Sequence, residues 1–540
     1  MKKCRLPRGI LAAVLPLLAV GVARADFLDG RCVNAQSQGV AAVNIDALDG
    51  GGNSVSLSND STDANGFFHV TIPAGTFTII FKPPAPPAST SMWTEIGPIN
   101  VSGTTNVGTI QLNQGVDLSG RILNPSSAGV PNVDIDIVDA ATGTMFELLN
   151  DRTDASGNFR LAAPFGPIEL RFDPAPSGQT LAPLAMPLNL SGATNLGNLQ
   201  LAPGFVVGAI VRRSNNSPVA DVDVDTEVAA TGADLYTPGD NTNGSGVVDF
   251  VVPAGTYTFE FCAPLSEGLA TRVIGPTAIN SNTSLGVVIM QNGFLMSGHV
   301  QSQAGASVSG ATVSLRDGSG AIVPTCHDHT DASGNYATVV PPGTFTVCFL
   351  PPNDSALGAS CTSNVTVSGP TTVNGTLPAA IVQFCAGDGS LATACPCSNF
   401  GGAGRGCANS NVGSTGALLV ASGSTYPDTV LLSASGMRPT ALCIFLQGNA
   451  LVSAGVLFGD GVRCTGGTLK RLGSKIAVAG ASSYPQAGDL PIRQRSTQLG
   501  DVIPTGATRY YQTYYRDAAA FCPDPPGGTI NITNGTRLVW

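Results

Sequence analysis

One strand-and-turn unit recurs four times along this chain at nearly constant spacing, and that period restricts the fold to a tandem array. Thr62-Asp63-Ala-Asn-Gly66-Phe67 is followed by Pro73-Ala-Gly75-Thr-Phe-Thr. The pair returns as Thr153-Asp154-Ala-Ser-Gly157-Asn-Phe159 with Pro164-Phe-Gly166, and as Thr242-Asn243-Gly-Ser-Gly246 with Pro253-Ala-Gly255-Thr-Tyr-Thr. The fourth copy is Thr330-Asp331-Ala-Ser-Gly334-Asn-Tyr336 with Pro342-Gly343-Thr-Phe-Thr. Both glycine series advance by 91, 89 and 88 residues. Five units follow a leader: 26–114, 115–203, 204–292, 293–380, and a different C-terminal region, 381–540.

Within each copy the pattern is that of strands. A Gly-bearing opening (Asp29-Gly30-Arg31, Ser119-Gly120-Arg121, Val207-Gly208-Ala209, Ser297-Gly298-His299) precedes alternation such as Val133-Asp134-Ile135-Asp136-Ile137. Alternation sends branched residues to one face and carboxylates to the other. Asp-Ala-Ser-Gly suits a tight turn, with Asp at its first corner and Gly where the backbone needs freedom; Asn243 replaces that Asp in the third copy. About seven short strands in roughly 89 residues predict a small two-sheet sandwich around one core.

The first 25 residues read as a secretory signal peptide. Lys2, Lys3, Arg5 and Arg8 precede an apolar run from Ile10 to Val22, and Ala23-Arg24-Ala25 fits a cleavage site. The run is too short for a stable membrane span, and no later segment is long and apolar enough for one. Five of the 26 cations fall in the leader, leaving 21 against 36 acids, a net charge of −15. Residues 381–540 hold 11 cations and seven Asp, a net of +4, so the repeats carry −19. Nucleic acid is excluded as a partner of such acidic repeats, since phosphate binding needs clustered cations.

These motifs resemble the carboxypeptidase regulatory-like domain, a prealbumin-like β-sandwich related to repeats of bacterial surface adhesins. The resemblance covers about 26–380 and implies a non-catalytic spacer or accessory role. Some adhesin repeats carry a Lys–Asn isopeptide bond. No Lys occurs between Lys82 and Lys470, so the second, third and fourth repeats cannot form one. The expected fold is all-β: four prealbumin-like sandwiches and a disulfide-bonded C-terminal β-sandwich.

From Phe384 the composition changes. Cys385, Cys395, Cys397, Cys407, Cys443, Cys464 and Cys522 fall within 160 residues. In an exported chain they read as disulfides of undetermined connectivity, together with Cys326, Cys348 and Cys361, while Cys32 and Cys262 lack near neighbours in sequence. The region resembles a C-terminal module of uncharacterised secreted bacterial proteins through Phe384-Cys-Ala-Gly-Asp-Gly, Cys395-Pro-Cys397, Gly406-Cys-Ala-Asn, Phe458-Gly-Asp-Gly-Val-Arg-Cys464 and Arg509-Tyr-Tyr-Gln-Thr-Tyr-Tyr-Arg516. That resemblance brings no established activity.

On a strand, Tyr511 and Tyr515 face one way and Tyr510 and Tyr514 the other. One pair belongs in a core. Tyr510 and Tyr514, with Arg516 beside them, are candidate contacts for an extracellular polysaccharide or surface protein, against the plainer reading of a covered second face. His327 and His329 would share a strand face as metal ligands, against the plainer reading of a solvated loop. Asp134/Asp136 and Asp223/Asp225 lack the dense oxygen-ligand loop that Ca²⁺ requires. No nucleophile elbow or phosphate loop accompanies the four histidines. The expectation is a non-enzymatic protein without a cofactor.

Overall fold

A computed structural model describes residues 26–175, 179–518 and 529–540; the leader and Cys522 lie outside them. Repeat 1 contains β1 (Asp26–Val33), β2 (Asn44–Leu48), β3 (Ser54–Val55), β4 (Phe67–Ile72), β5 (Gly75–Lys82), β6 (Thr94–Val101) and β7 (Thr104–Gln111). They form two sheets, in the orders β4-β1-β7 and β3-β2-β5-β6. β1 pairs antiparallel with β4 and parallel with β7. The same two orders recur in the other repeats, with the last strand of the fourth split into Thr371–Thr372 and Gly375–Leu377.

The cores follow from alternation. On β5, Phe77, Ile79 and Phe81 are buried while Thr76 and Thr78 are not. Their partners across the sandwich include Leu28, Val70 and Ile72. Each repeat closes its own cluster in this way. Burial of each such side chain contributes about 1.5–3 kcal/mol.

The repeated Thr-Asp/Asn-x-x-Gly motif is a clamp. Thr62 Oγ1 donates to the Val40 carbonyl (2.7 Å) and accepts from the Val43 amide (2.9 Å). Thr153, Thr242 and Thr330 do the same with Val130/Val133, Val219/Val222 and Val308/Ala311. The next residue caps the turn: Asp63 Oδ1 accepts from Asn65 and Phe67 amides at 2.8 and 2.9 Å. Asn243 Oδ1 makes the equivalent bonds to Ser245 and Val247, at 2.9 and 3.2 Å. An amide oxygen suffices because only an acceptor is needed. Gly157 has φ of 81°, and a Cβ there would meet the Ile122 carbonyl at 2.3 Å, so the turn requires Gly twice over.

The strand glycine has a partner too. A Cβ on Gly30 would meet the Phe68 ring at 2.5 Å; on Gly120, the Phe159 ring at 2.8 Å; on Gly298, the Tyr336 ring at 2.9 Å. These pairs are directly opposed across the antiparallel ladder. In repeat 3 the opposed pair is Ala209 and Val248, so Gly208, read above as the equivalent glycine, stands one position earlier and faces Asp249. With Val in place of the aromatic ring, the strand admits a methyl.

Residues 381–540 form a second kind of sandwich. One sheet runs in the order Ile381–Phe384, Gly535–Val539, Thr508–Arg516, Leu442–Gly448, Lys470–Ile476, and Ile530–Ile532 also joins Thr508–Arg516. The other comprises Leu418–Ser422, Leu431–Ser435 and Ser482–Tyr484. Between them lie Leu419, Leu432, Phe445, Tyr484, Tyr511, Tyr515 and Trp540. A short helix, Ile492–Gln498, and a hairpin, Ala450–Phe458 with Gly461–Gly466, complete the domain.

The glycine–aromatic pairing yields a prediction. Val248→Phe should destabilise repeat 3 by about 1–3 kcal/mol through overpacking against Ala209, and adding Ala209→Gly should recover most of that loss. Calorimetric unfolding of the wild type, both single variants and the double variant measures the coupling.

Candidate functional site at the module junctions

Each junction between successive units is built from the same peptide contact. At the first, the Met92 amide donates to the Asn113 carbonyl (2.8 Å) and Gly115 to Thr90 (3.0 Å). The second uses Ala182 to Ala202 and Gly204 to Thr180, both 3.0 Å. The third uses Ala270 to Gln291 (2.8 Å) and Gly293 to Gly268 (2.9 Å). The fourth, leading into the C-terminal domain, uses Gly358 to Pro378 (2.8 Å) and Ala380 to Ala356 (2.9 Å). The linker is thus pinned as a short antiparallel bridge, so its backbone groups are satisfied and its freedom is removed.

The linker also touches the unit that follows. A Cβ on Gly115 would lie 2.7 Å from Met92 and 2.8 Å from the Ala163 carbonyl. On Gly204 it would lie 2.3 Å from Val251 and 2.8 Å from the Ala182 nitrogen. Gly293 is equally close to Val339 and Val340.

Beside these clamps, side chains from neighbouring repeats meet in three chemistries. Between repeats 1 and 2, Pro83, Pro84, Met92 and Trp93 face Leu148 and Leu149 across a small apolar cleft. Between repeats 2 and 3, the Arg171 guanidinium lies 4.9 Å from the Tyr236 ring centroid. Between repeats 3 and 4 the contact is covalent: Cys262 is disulfide-bonded to Cys326, 64 residues away. Thr271 Oγ1 of repeat 3 accepts from the Cys326 amide of repeat 4 at 3.1 Å.

That junction is acidic. Asp225 Oδ2 lies 3.3 Å from the Cys262 sulfur, and Glu260 Oε1 lies 3.9 Å from the Cys326 sulfur. Burial, then Glu227, Asp225, Asp328 and Asp234, pushes Glu260 from 4.5 up to about 7. Burial also raises Asp225 and Asp328. Where these carboxylates are ionised, their charge opposes the approach of a thiolate to the bridge.

The other cysteines divide between the domains. Cys348 and Cys361 bridge adjacent strands of repeat 4, and the Cys361 sulfur is 3.6 Å from the Thr505 carbonyl of the C-terminal domain. Cys385 pairs with Cys464 and Cys395 with Cys407. Cys397 is disulfide-bonded as well. Cys443, named among the disulfide candidates, instead keeps a free, buried thiol, as does Cys32. The strand residues opposite Cys443 are Lys475 and Tyr515, so no second sulfur faces it.

The sequence-derived histidine pair does not lie on one strand. His327 sits in a bend with φ of 55°, which breaks the period-two geometry on which a shared face depends. His329 Nδ1 instead meets Asp328 (2.9 Å), and its Nε2 meets Thr312 (3.2 Å). Among the described residues, the grouping of three metal-ligand types is Glu260, Cys262 and Cys326, and its two sulfurs are already bonded to each other. Asp134 pairs with Arg152 at 2.9 Å, while Asp223 and Asp225 line an acidic cleft with Asp234 and Asp240.

Tyr511 and Tyr515 are fully buried. Trp540 Nε1 donates to the Tyr511 hydroxyl (3.1 Å), which meets Gln447 Oε1 (3.2 Å). Tyr510 and Tyr514 point to the opposite face, where each is packed edge-on, against Phe384 and Phe458 at 5.5 and 5.4 Å between centroids. Between them Gln512 is fully buried, and its Oε1 accepts from the Cys464 and Thr465 amides at 2.7 and 2.9 Å. On the second face the hairpin strand Gly461–Gly466 thus covers Gln512, while Tyr510 and Tyr514 stay half-buried on either side of it. Arg516 is exposed and donates to Thr529 at 2.7 Å.

One constellation had no signal in sequence. His299 Nε2 lies 3.4 Å from Ser307 Oγ, and its Nδ1 lies 3.1 Å from Asn335 Oδ1. The order of groups is that of a nucleophile relay, but Ser307 is exposed at an isolated bridge to Gln301, where water solvates the hydroxyl. Its three members come from separate loops and strands, so no local motif announces it.

No protein-family model and no curated protein matches the chain. Among solved structures, similar chains include the Bacillus anthracis TIE protein, 12% identical with a TM-score of 0.16 over 62% of this chain and 68% of that one. A streptococcal ancillary pilin is 11% identical, with a TM-score of 0.17 over 49% and 99% of the two chains. A variant of the major pilin subunit of Bacillus cereus is 13% identical, with a TM-score of 0.13 over 66% and 99%. Likenesses of this degree carry no argument about function.

The acidic junction predicts a pH dependence. Folded Glu260 keeps its proton to about pH 7 and the unfolded side chain only to about 4.5, so folding takes up a proton between these values. Its contribution is full below 4.5 and is lost as pH rises to 7. Glu260→Gln should raise the melting temperature at neutral pH and flatten the slope across this window, as thermal scans of both proteins will show.

Proposed function

We propose that this is an exported, non-catalytic structural protein in which four β-sandwich repeats form a stiff spacer for the disulfide-bonded domain at 381–540. The divisions after residues 114, 203, 292 and 380 are the module limits of this reading. The observation that carries it is the junction itself. A protein that only needed domains on a string would join them by mobile linkers. Here the linkers are hydrogen-bonded into the preceding module, packed against the next, and in one case reinforced by a disulfide. The resemblance to the regulatory-like sandwich family, through two linked motifs in four copies, agrees with an accessory role. The bridges also suit an oxidising compartment outside the cytosol.

Closing a 64-residue loop stabilises the joined modules by about 4 kcal/mol in the chain-entropy estimate. The test is Cys262→Ser/Cys326→Ser in the full chain, compared with the wild type by small-angle scattering and limited proteolysis. The expected outcome is a broader distribution of distances and new cleavage near 264–300, with the separate sandwiches still folded. A broad distribution of distances and cleavage at the linkers already in the wild type would refute the stiff-spacer reading.

A further inference from the structure

We infer that the outer face of the three-stranded sheet in repeat 1 is a binding cleft for a neutral polysaccharide. In repeat 1 the cleft encloses about 520 Å³ and lies across β1, β4 and β7. Asp29 opposes His69 and Arg31 opposes Phe67 on the antiparallel side, while Asp29 opposes Asn106 on the parallel side. These side chains point away from the core, because their strand neighbours Leu28, Val70 and Phe68 fill it.

The floor is aromatic. Phe67 is 53% exposed, and the Arg31 guanidinium lies 5.1 Å from its ring centroid. Phe27 and His69 are stacked at 4.5 Å with planes 16° apart. His69 Nδ1 is held by Asp29 Oδ1 at 2.6 Å, which fixes the imidazole plane. An exposed aromatic ring costs solvation in a monomer and is stabilised by a partner with an apolar face. A pyranose ring has such a face on its axial C–H groups, with hydroxyls around its edge. Asp29, Arg31 and Asn106 surround the rings with donors and acceptors suited to those hydroxyls.

The same place on repeat 2 is also a cleft, of about 590 Å³, but Asn158 and Arg160 stand where repeat 1 has Phe67 and His69, so it lacks the aromatic floor. Its charges are internally answered. Arg160 bonds Asp117 through both Nε and Nη2, Arg152 pairs with Asp134 at 2.9 Å, and Arg121 acts on Asp154. In repeat 1, Arg31 donates to the Asn65 carbonyl and Asp29 holds His69, so the cleft has one cation and one carboxylate. A polyanion requires an excess of cations, and a basic partner would require free carboxylates; these clefts offer neither. Paired planar polar groups without net charge fit a neutral polyol. The repeat 1 cleft crosses three strands, about 10 Å, which is longer than one sugar ring and fits a polymer.

The test is affinity gel electrophoresis of the full chain in gels containing hydroxyethyl cellulose, xyloglucan, galactomannan or dextran, with polygalacturonate and heparin as anionic probes. Retardation by at least one neutral polymer, weakened about tenfold by Phe67→Ala/His69→Ala, is the expected result. Both side chains are exposed, so the variant should keep its fold; Phe165→Ala, an exposed aromatic outside the cleft, should leave retardation unchanged. Retardation by the anionic polymers alone, by none, or equally in the wild type and the Phe67/His69 variant would overturn the assignment. The last result would move the contact to another surface, and none of the three bears on the stiff-spacer reading.

Discussion

A threonine hydroxyl, buried in the same place in every repeat, is the contact on which the rest depends. Thr62, Thr153, Thr242 and Thr330 each satisfy one amide and one carbonyl where the chain leaves the first sheet and enters the second. An unpaired buried peptide group there would cost about 1–3 kcal/mol. The next residue caps the turn and Gly completes it, so one short motif sets both the sandwich corner and the register of β4 against β1. With that register in place, aromatic rings lie over strand glycines and the alternating strands close a core.

The junctions extend this economy beyond the single module. Two backbone hydrogen bonds per linker recur four times, while the side chains next to them change from apolar packing to a cation over an aromatic ring and then to a disulfide. The peptide contact is geometric and tolerates sequence change; the lateral contact is where successive repeats differ. The disulfide is set among carboxylates whose proton affinity is raised by burial and, at Asp225 and Glu260, by mutual repulsion. The junction therefore couples a redox-sensitive bond to a pH-sensitive cluster in one place.

Much of this was legible in residues close together in sequence. The repeat number, the strand alternation and the Asp-led turn are local, and local signals survive without knowledge of the fold. Asn243 kept the turn because the role is that of an acceptor, which Asn shares with Asp. Gly208 was misleading because a glycine beside the right position looks like one at it; only the ladder, with Ala209 opposite Val248, shows the offset. The split of the tyrosines into two faces followed from strand periodicity, yet what covers Tyr510 and Tyr514 comes from Phe384 and Phe458, far away in the chain.

By itself, then, the sequence determined an all-β tandem array, its turns and the inward-facing residues, because hydrophobic alternation and turn chemistry act over a few residues. Only the tertiary structure decided that Cys262 joins Cys326 across a module boundary while Cys443 stays free. The same holds for the phenylalanines that meet Tyr510 and Tyr514 edge-on, and for the clefts on repeats 1 and 2 each gathering three strands. Each of those outcomes depends on how strands pair and modules dock. Residues separated by tens of positions meet only after the local units have set the register and angle of approach.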